Sequence, residues 1–327
     1  MPKALVIGAG PAGMLAAVQL KRSGFETDLA DPSPGSGLRT RPQSGHVHLL
    51  QPATLALITR WLPQLSAHTN PQLCRTTFDQ LLWTLSLQYI DSVHTARIKS
   101  VIFRGNKVLV HAAGQIKEYN LLIDASGAAR ATAGSVARQC NTALPLDSGP
   151  ASGDYATLKL TNLSEETRQI IAVRDNDSGY GALLQHTGNG RGLLTLQAPV
   201  EERPPEDLTT ALRVLRGFAD PRPWAACHKS RALGRTVIFR GRPATRLALE
   251  QVTDLPANWL PMGDCLLTTQ PYLGQGFEQL TEHVVLLEQG LAEGRSCRQI
   301  RNQLVHRARQ RWWNATWRDA MQACALS

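Results

Sequence analysis

The sequence KALVIGAGPAG at the start of the chain limits the possible folds more than any other segment. Residues 3–7 are a short apolar run that predicts a buried strand, and residues 14–21 predict an apolar helix that Gly24 can end. The turn between them carries glycines with the spacing G-x-G-x-x-G. This order of strand, glycine-rich turn and helix opens a βαβ unit, so it predicts a parallel sheet covered by helices.

The glycine-rich turn predicts a binding site for an adenine dinucleotide. Its first glycine makes the tight turn, the second lets the backbone approach a pyrophosphate, and the third lets helix and strand pack closely, while the helix N-terminus attracts the anion. The predicted cofactor contacts here are Gly8, Gly10, Pro11, Ala12 and Gly13. Asp31 ends the next predicted strand, where an acidic side chain binds ribose hydroxyls. The turn alone leaves both FAD and NAD open.

Two further predicted strands are each followed by a loop. Residues 119–125 (YNLLIDA) lead into SGAAR, and residues 259–262 (WLPM) lead into GDC and then GQG. After GQG, apolar residues at helical spacing predict a helix, namely Leu280, Val284, Leu287 and Leu291. We expect the backbone N–H groups at Gly274 and Gly276 to face an anion or an electron-rich ring edge, and Asp264 to bind sugar hydroxyls.

Together these motifs resemble the FAD-dependent monooxygenases built like para-hydroxybenzoate hydroxylase. That family has G-x-G-x-x-G at its start, an Asp-Gly segment midway and a G-D…P-x-x-G-x-G segment late in the chain. The late segment is matched by Gly263, Asp264, Pro271, Gly274 and Gly276. The resemblance covers nearly the whole chain. It implies that one FAD is held by both loops, by the first at its pyrophosphate and by the second at its ribityl chain and flavin.

The resemblance also implies cofactor contacts between these two loops. Arg75 in CRTTFDQLL matches a family segment near the FAD phosphates, and Ile98 in RIKSVIF lies in the strand whose backbone lines the adenine. Ala125 stands where the family usually has glycine. Because that middle segment is associated with FAD and with pyridine nucleotide, the electron source stays open among NADH, NADPH and a separate flavin reductase. The remaining predicted cofactor contacts are Asp124, Ser126, Gly127, Gln275 and Phe277.

Four side chains are candidates for the chemistry itself. Residues 42–50 resemble a P-Q-x-x-H-x-H-x-L segment of related epoxidases and hydroxylases, and the spacing of His46 and His48 would place both imidazoles on one strand face near the flavin. Ordinary hydrogen-bonded histidines fit equally well, and no third ligand is spaced for a metal. Tyr272 and Gln275 are polar candidates for steering the peroxide or the substrate. The W-x-W-x-I-P segment of flavin halogenases does not occur in the sequence.

The predicted fold class is α/β: a Rossmann-type FAD-binding domain with an inserted antiparallel β-sheet substrate domain and C-terminal helices. The FAD-binding domain is expected to be discontinuous, over residues 1–150 and 245–295. Residues 151–244 are expected to form the substrate sheet around one helix at residues 206–218, and residues 296–327 the C-terminal helix. The predicted strand segments are YATLKLTNL, GYGALLQHT, GLLTLQAPV, RTVIFRG and ATRLALEQV.

Composition and charge favour a reduced cytoplasmic protein. The chain has no apolar run of about 18 residues, and its six cysteines show no C-x-x-C spacing. Much of the net charge of +9 lies in an arginine-rich segment near the C-terminus, which fits either a basic surface for an acidic partner or a helix docked on the body. We favour docking, because an apolar stripe runs through it at helical spacing, so neither nucleic acid nor a membrane span is expected. The stripe consists of Ile300, Leu304, Ala308 and Trp312.

The resemblance implies an FAD-dependent oxidoreductase that inserts one oxygen atom from O₂ into a small aromatic or alkene substrate through a flavin C4a-hydroperoxide. Two alternatives stay open. The first is a flavin monooxygenase that hydroxylates a side chain such as tryptophan in a partner polypeptide, which suits a short substrate sheet and a basic surface. The second is an FAD-dependent reductase of prenyl double bonds.

Overall fold

The computed structural model describes residues 1–35, 50–68, 75–112, 114–163, 171–269 and 275–324, with side chains up to residue 313. Along these ranges the strands are β1 (Lys3–Ile7), β2 (Glu26–Ala30), β3 (Ser92–His94), β4 (Ile98–Arg104), β5 (Lys107–Ala112), β6 (Gln115–Tyr119), β7 (Leu121–Asp124), β8 (Leu146–Ser148), β9 (Tyr155–Thr161), β10 (Ile171–Arg174), β11 (Gly181–Gly188), β12 (Arg191–Gln197), β13 (Arg231–Ala232), β14 (Val237–Phe239), β15 (Thr245–Leu247), β16 (Trp259–Pro261) and β17 (Leu267–Thr268). The α-helices are α1 (Pro11–Arg22), α2 (Pro52–Trp61), α3 (Arg75–Ser86), α4 (Ala133–Gln139), α5 (Leu208–Arg216), α6 (Arg222–Cys227), α7 (Gly276–Ala292) and α8 (Cys297–Cys324).

A five-stranded parallel sheet in the order β16-β7-β1-β2-β3 carries the glycine-rich turn. Helix α1 lies on one face, where it also contacts α3 and α7, and the antiparallel strands β4, β5 and β6 cover the other face. Because both faces are covered, four of the five residues of β1 are buried. The predicted parallel sheet is therefore confirmed.

One predicted strand boundary is wrong. Tyr119 does not begin a parallel strand but ends β6, where it pairs with Val108. Asn120 separates β6 from β7, because its backbone N–H donates to the carbonyl of Lys3 and its side chain accepts the Lys3 N–H. The apolar run YNLLIDA thus spans the end of one sheet and the start of another, which periodicity does not resolve.

A separate antiparallel sheet follows in the chain, with strands in the order β10-β11-β12-β9, and both β13 and β14 pair with β9. One of its faces packs against α5 and α6 and forms a second apolar core. Asp207 caps the start of α5 by accepting the N–H of Thr210 at 2.8 Å, which confirms the helix expected at residues 206–218. The expected inserted antiparallel sheet is present.

The segment ATRLALEQV does not join this sheet, contrary to expectation. Its strand β15 pairs instead with β8 and β17 in a three-stranded sheet. Arg246 in β15 is buried and binds Asp147 of β8 and Glu250 through charged hydrogen bonds. A buried guanidinium needs such partners, so this ion-pair network fixes β15 beside β8.

The arginine-rich C-terminal segment forms α8, which packs against α7 and β16. The docked interpretation is confirmed, since Ile300, Leu304 and Ala308 are buried and Trp312 packs against the same core. Gly290 allows this packing, because a Cβ atom there would lie 2.4 Å from Cγ1 of Ile300. No helix in the described ranges is both long and apolar enough to span a bilayer.

Candidate functional site

The glycine-rich turn lies between the carboxyl end of β1 and the start of α1. Gly8 has a φ of +105°, and a Cβ atom there would lie 2.4 Å from the carbonyl oxygen of Ala125. A Cβ atom at Gly13 would lie 1.9 Å from the carbonyl oxygen of Gly8. Both positions accept only glycine, so the protein's own packing explains the first and third glycines of the motif.

The N-terminus of α1 has no cap of its own. Gly10, with φ −80° and ψ 173°, precedes it without a side-chain hydrogen bond, and no acidic residue lies in the first turn. Pro11 has no N–H, while the N–H groups of Ala12 and Gly13 have no acceptor within the helix. Since the first ten residues of α1 are buried, an anion at this end would be strongly stabilised.

Asp31 lies at the carboxyl end of β2, beside the glycine-rich turn. One oxygen of its carboxylate accepts the N–H of Ala9 at 2.7 Å, and the other accepts the N–H of Ser33 at 2.8 Å. The residue is buried, with 6% of its surface exposed. The predicted ribose contact therefore also fixes the turn that would bind the pyrophosphate.

The middle motif folds around Asp124 at the end of β7. Its Oδ1 accepts hydrogen bonds from the N–H and hydroxyl of Ser126, and its Oδ2 accepts the N–H and hydroxyl of Thr132. Asp124 is completely buried, and these four donors match the acceptor capacity of a carboxylate. Any contribution of Asp124 to cofactor binding would thus be made through the loop that it holds. Gly127, with φ +70°, lies in that loop with open space beside it.

The late loop begins at Gly263 and packs directly on the first one. Gly263 has φ +59°, and a Cβ atom there would lie 2.9 Å from Cβ of Ala12 at the start of α1. Asp264 follows within a short 3₁₀ turn, Gly263–Cys265, and is half-buried. The structure therefore brings the predicted pyrophosphate contacts and the predicted ribityl contact to the same edge of the sheet.

The middle and late loops are joined as well. The N–H of Met262 donates to the carbonyl of Asp124 at 2.9 Å. Arg130, in the left-handed region with φ 48°, donates from Nε to the carbonyl of Cys265 at 3.0 Å and from Nη2 to Oγ1 of Thr245 at 2.6 Å. Three loops that are distant in sequence thus form one continuous surface at the carboxyl ends of β1, β7 and β16.

Helix α7 holds the late loop from inside the protein. Nε2 of Gln279 donates to the carbonyl of Leu267 at 2.6 Å, and Nδ1 of His283 accepts the N–H of Gly263 at 3.0 Å. His283 has no exposed surface, and burial lowers the pKa of its imidazole to about 4, so the ring is neutral at pH 7. With Nδ1 as the acceptor, Nε2 carries the proton.

The sequence interpretation missed this pair. Gln279 and His283 are spaced four residues apart, like the apolar Leu287 one turn further on, and all three are buried. The helical spacing of two polar residues with a buried leucine was the available signal. Oε1 of Gln279 and Nε2 of His283 have no hydrogen-bond partner among the residues that the structure describes.

Two predicted cofactor residues, Arg75 and Phe277, meet at the N-terminus of α7. The Arg75 guanidinium lies 4.8 Å from the ring centroid of Phe277, and its Nε donates to Asp79 at 2.7 Å. Phe277 also makes an edge-to-face contact with Phe78. At Gly276 a Cβ atom would meet only Oγ1 of Thr269, at 3.8 Å, so the described protein has room for a side chain there. Gln275 precedes the helix without capping it.

Ile98 lies at the start of β4, beside a cavity of about 60 Å³ between the parallel sheet and the sheet of β4, β5 and β6. The cavity also reaches Ala30, which directly precedes Asp31. Two of its lining residues contact Asp28, which accepts the hydroxyl of Tyr119 at 2.9 Å and lies at the same distance from Nε2 of His94. Burial, together with Asp28, raises the pKa of Tyr119, so the phenol stays protonated.

Four predicted site residues lie outside the described residues: His46, His48, Tyr272 and Gly274. Their roles stay predictions. Among the residues that are described, no group of three or more His, Cys, Asp or Glu side chains could hold a metal ion.

The antiparallel sheet has a second face, opposite to the one on which α5 and α6 pack, and Thr157 is buried there. There, Tyr155 stacks on Phe239 with ring centroids 5.3 Å apart, and the hydroxyls of Thr157 and Thr195 lie 2.7 Å from each other. Burial raises the pKa of Tyr155 to about 12, which keeps this phenol neutral as well. A face with aromatic rings and neutral hydroxyls can bind a planar organic molecule.

The comparisons with known proteins agree with this architecture. The family model of an NAD(P)-binding Rossmann-like domain matches residues 6–63. The chain is similar in structure to the flavin-dependent halogenase CmlS, with a TM-score of 0.69, 14% identity, and 94% of this chain and 62% of CmlS covered. It is also similar to the flavin-dependent brominase Bmp2, with a TM-score of 0.68, 14% identity, and coverages of 96% and 83%.

A third similar structure is the halogenase PltM in complex with phloroglucinol and FAD, with a TM-score of 0.64, 14% identity, and coverages of 92% and 71%. No curated protein matches the chain in sequence. The chain covers less than two thirds of CmlS. At these identities the likeness establishes a shared fold. It confirms the predicted fold class.

Proposed function

We propose that the protein is an FAD-dependent monooxygenase that transfers one oxygen atom from O₂ to an aromatic or alkene substrate. The observation that carries the proposal is the convergence of three loops at the carboxyl ends of β1, β7 and β16, where Gly263 packs on Ala12 and Met262 binds Asp124. In open parallel sheets this edge is where dinucleotides bind. Similarity to PltM, solved in complex with FAD, supports FAD as that dinucleotide.

The described residues where the three loops meet fit both ends of an FAD molecule. At one end, the uncapped start of α1 suits a pyrophosphate, and Gly8 and Gly13 give the turn before it a backbone packing that a Cβ atom would prevent. Asp31 would bind the adenosine ribose, and Arg75 would stabilise phosphate charge. At the other end, Asp264 would bind the ribityl hydroxyls, in a loop that Gln279 and His283 hold in place.

FAD supplies the redox and oxygen chemistry, and the protein supplies binding, orientation and the exclusion of water. The N–H groups at the start of α7 would stabilise negative charge on the flavin edge, and Gln275 would donate or accept a hydrogen bond there. The face of the antiparallel sheet opposite α5 and α6 would hold the substrate against the stacked Tyr155 and Phe239 and against Thr195, whose hydroxyl is hydrogen-bonded to the buried Thr157. Phloroglucinol, the aromatic bound by PltM, supports a small aromatic substrate.

Oxygen transfer is preferred to halogenation because the sequence lacks W-x-W-x-I-P, although the structural neighbours are halogenases. The test is turnover of the FAD-loaded protein with isotopically labelled O₂ and a panel of phenols and alkenes, with bromide present and absent. NADH, NADPH or a separate flavin reductase supplies the two electrons with which the second oxygen atom leaves as water. Labelled oxygen in the product supports the proposal. A product with a new carbon–bromine bond would make the protein a halogenase, and reduction of an alkene without O₂ would make it a reductase.

A pair of variants tests whether the three loops at the carboxyl ends of β1, β7 and β16 bind the cofactor. Asp264→Ala removes the predicted ribityl contact and is expected to purify with little FAD. Asp254→Ala removes an exposed carboxylate of the loop before β16 and is expected to retain FAD. If both retain FAD and an NAD analogue competes for the whole site, the proposal fails.

A further inference from the structure

One edge of the antiparallel sheet has an unusual charge distribution. Between residues 221 and 249 the chain has seven Lys and Arg residues and no Asp or Glu. Two of the seven are neutralised by ion pairs, since Arg222 binds Asp220 and the buried Arg246 binds two carboxylates. The other five lie in the stretch of residues 229–242, which we call the basic edge.

The basic edge combines these cations with exposed aliphatic side chains. Its five basic residues are exposed, and none lies within ion-pair distance of a carboxylate in the described part of the chain: Lys229, Arg231, Arg235, Arg240 and Arg242. Between them Leu233, Val237 and Ile238 have 41%, 37% and 41% of their surface exposed. Charged side chains alone would keep a sheet edge soluble. Large exposed aliphatic side chains do not serve that purpose and are typical of a binding surface.

The backbone of the basic edge is also available for pairing. β14 pairs with β9 on one side, with Ile238 opposite Ala156, and no other described strand pairs with it. An edge strand presents peptide N–H and C=O groups to its open side, and an extended segment from another chain can add to it.

We propose that the basic edge binds an acidic polypeptide segment in extended conformation, with apolar side chains between its carboxylates. Neighbouring side chains of a strand point to opposite faces, so the apolar side chains of an added strand would cover Val237 on one face. Its carboxylates would pair with Arg240 on the other face and with Arg235 before the start of β14. Four of the five cations are arginine, which binds carboxylates through a planar fork and is enriched in protein interfaces. This inference does not depend on the reaction that the protein catalyses.

Other occupants fit the basic edge less well. Single-stranded nucleic acid needs aromatic rings on which bases stack, and the aromatic ring of β14, Phe239, already stacks on Tyr155. A second copy of the chain that paired through the same edge would bring arginine against arginine, because a two-fold interface uses one surface twice.

The test measures binding of a fluorescent synthetic peptide of alternating glutamate and valine to the intact, FAD-loaded protein. The variant Arg235→Ser with Arg240→Ser removes two charges from the basic edge. Its matched control is Arg213→Ser with Arg216→Ser, which removes two exposed charges from α5. We expect the edge variant to weaken binding by about tenfold or more and the control to change it by less than about twofold.

Two further probes separate the alternatives. A glutamate-only peptide of equal charge should bind more weakly than the alternating peptide, and Val237→Ser with Ile238→Ser should remove that difference. The proposal is overturned if the edge variant binds the alternating peptide as the wild type does, or if the glutamate-only peptide binds equally well. It is also overturned if an oligothymidylate binds more tightly through the same arginines, or if those arginines instead support a dimer seen by light scattering.

Discussion

Nδ1 of His283 accepts a hydrogen bond of 3.0 Å from the backbone N–H of Gly263, and so a buried side chain of α7 fixes the first residue of the late loop. Gly263 has a positive φ and packs on Ala12 at the start of α1. The position of the late loop against the first loop therefore depends on a neutral imidazole that no solvent reaches. His283 would influence FAD binding without touching FAD.

His283→Leu is expected to weaken FAD binding. The substitution leaves the Gly263 N–H buried without an acceptor, which costs about 1–3 kcal/mol, or roughly five- to 150-fold in affinity if the loop must be reordered on binding. His283→Asn places a carbonyl oxygen near the former Nδ1 and should restore most of the affinity. The measurement is titration calorimetry of the apoproteins with FAD. Equal affinities for the leucine and asparagine variants would show that only packing matters at this position.

The stability of the protein should fall in acid in two successive windows of pH. Burial lowers the pKa of His283 from 6.5 to about 4, so the unfolded chain binds this proton more readily. The contribution of His283 is therefore complete above about pH 6.5 and is lost progressively down to about pH 4, by about 3 kcal/mol. Burial alone would raise the pKa of Glu282, but Arg311 and Arg307 hold it at about 2, so its contribution is lost between about pH 4.5 and 2.

Urea unfolding of the wild type and of His283→Asn at pH 7 and at about pH 4.5 measures the first window. We expect the wild type to lose more free energy of unfolding than the variant over this interval, because asparagine has no proton to gain. Identical losses would mean that His283 has the same pKa in the folded and unfolded chains.

Much of the parallel sheet and its first loop was predictable from local sequence. β1 and α1 are nearly uniform apolar runs, and Gly8 and Gly13 occupy positions that exclude any Cβ atom, so one short motif determines strand, turn and helix together. The docked α8 was predictable for the same reason, since Leu304 and its neighbours repeat at helical spacing.

Other features depend on contacts between residues that are distant in sequence, and the hydrophobic periodicity of the sequence gives no information about such contacts. β15 lies beside β8 because the buried Arg246 needs Asp147, which is 99 residues earlier in the chain. Asp124 was predicted as a cofactor contact from its motif, yet in the structure its carboxylate accepts hydrogen bonds from Ser126 and Thr132. His283 was overlooked because its one signal, the helical spacing with Gln279 and Leu287, does not show whether a polar residue faces the core or a loop that it must hold.

The two glycine-rich loops should respond differently to alanine. Gly13→Ala places a methyl group 1.9 Å from the carbonyl of Gly8, so it should destabilise the fold and abolish FAD binding. Gly276→Ala meets only Oγ1 of Thr269 at 3.8 Å, so its stability should stay within about 0.5 kcal/mol of the wild type. The methyl group should still alter the flavin absorption spectrum or reduction potential, because it lies where α7 would face the ring.

Thermal unfolding of the apoproteins and visible spectra of the FAD-loaded proteins check these two outcomes. A wild-type flavin spectrum and potential in Gly276→Ala would place the flavin away from the start of α7. Retention of FAD by Gly13→Ala would exclude the first loop as the pyrophosphate site.

Asp31 is expected to act on both the fold and the cofactor, and a distant aspartate provides its control. Asp31 accepts the N–H groups of Ala9 and Ser33 at the carboxyl end of β2, whereas Asp91 accepts the N–H of Thr27 and binds Lys21 at the opposite edge of the same sheet. Each carboxylate fixes local backbone, but only Asp31 lies beside the glycine-rich turn.

Asp31→Ala should therefore weaken FAD binding by about 1.5–3 kcal/mol beyond any loss of stability, since it removes charge-assisted bonds to the ribose. Asp31→Asn should have an intermediate affinity for FAD, because the amide oxygen still accepts hydrogen bonds. Asp91→Ala should lower the free energy of unfolding while the dissociation constant for FAD stays unchanged. Urea unfolding and FAD titration on the three variants give both quantities. If Asp31→Ala and Asp91→Ala lose equal affinity for FAD, then Asp31 supports the sheet and another group binds the ribose.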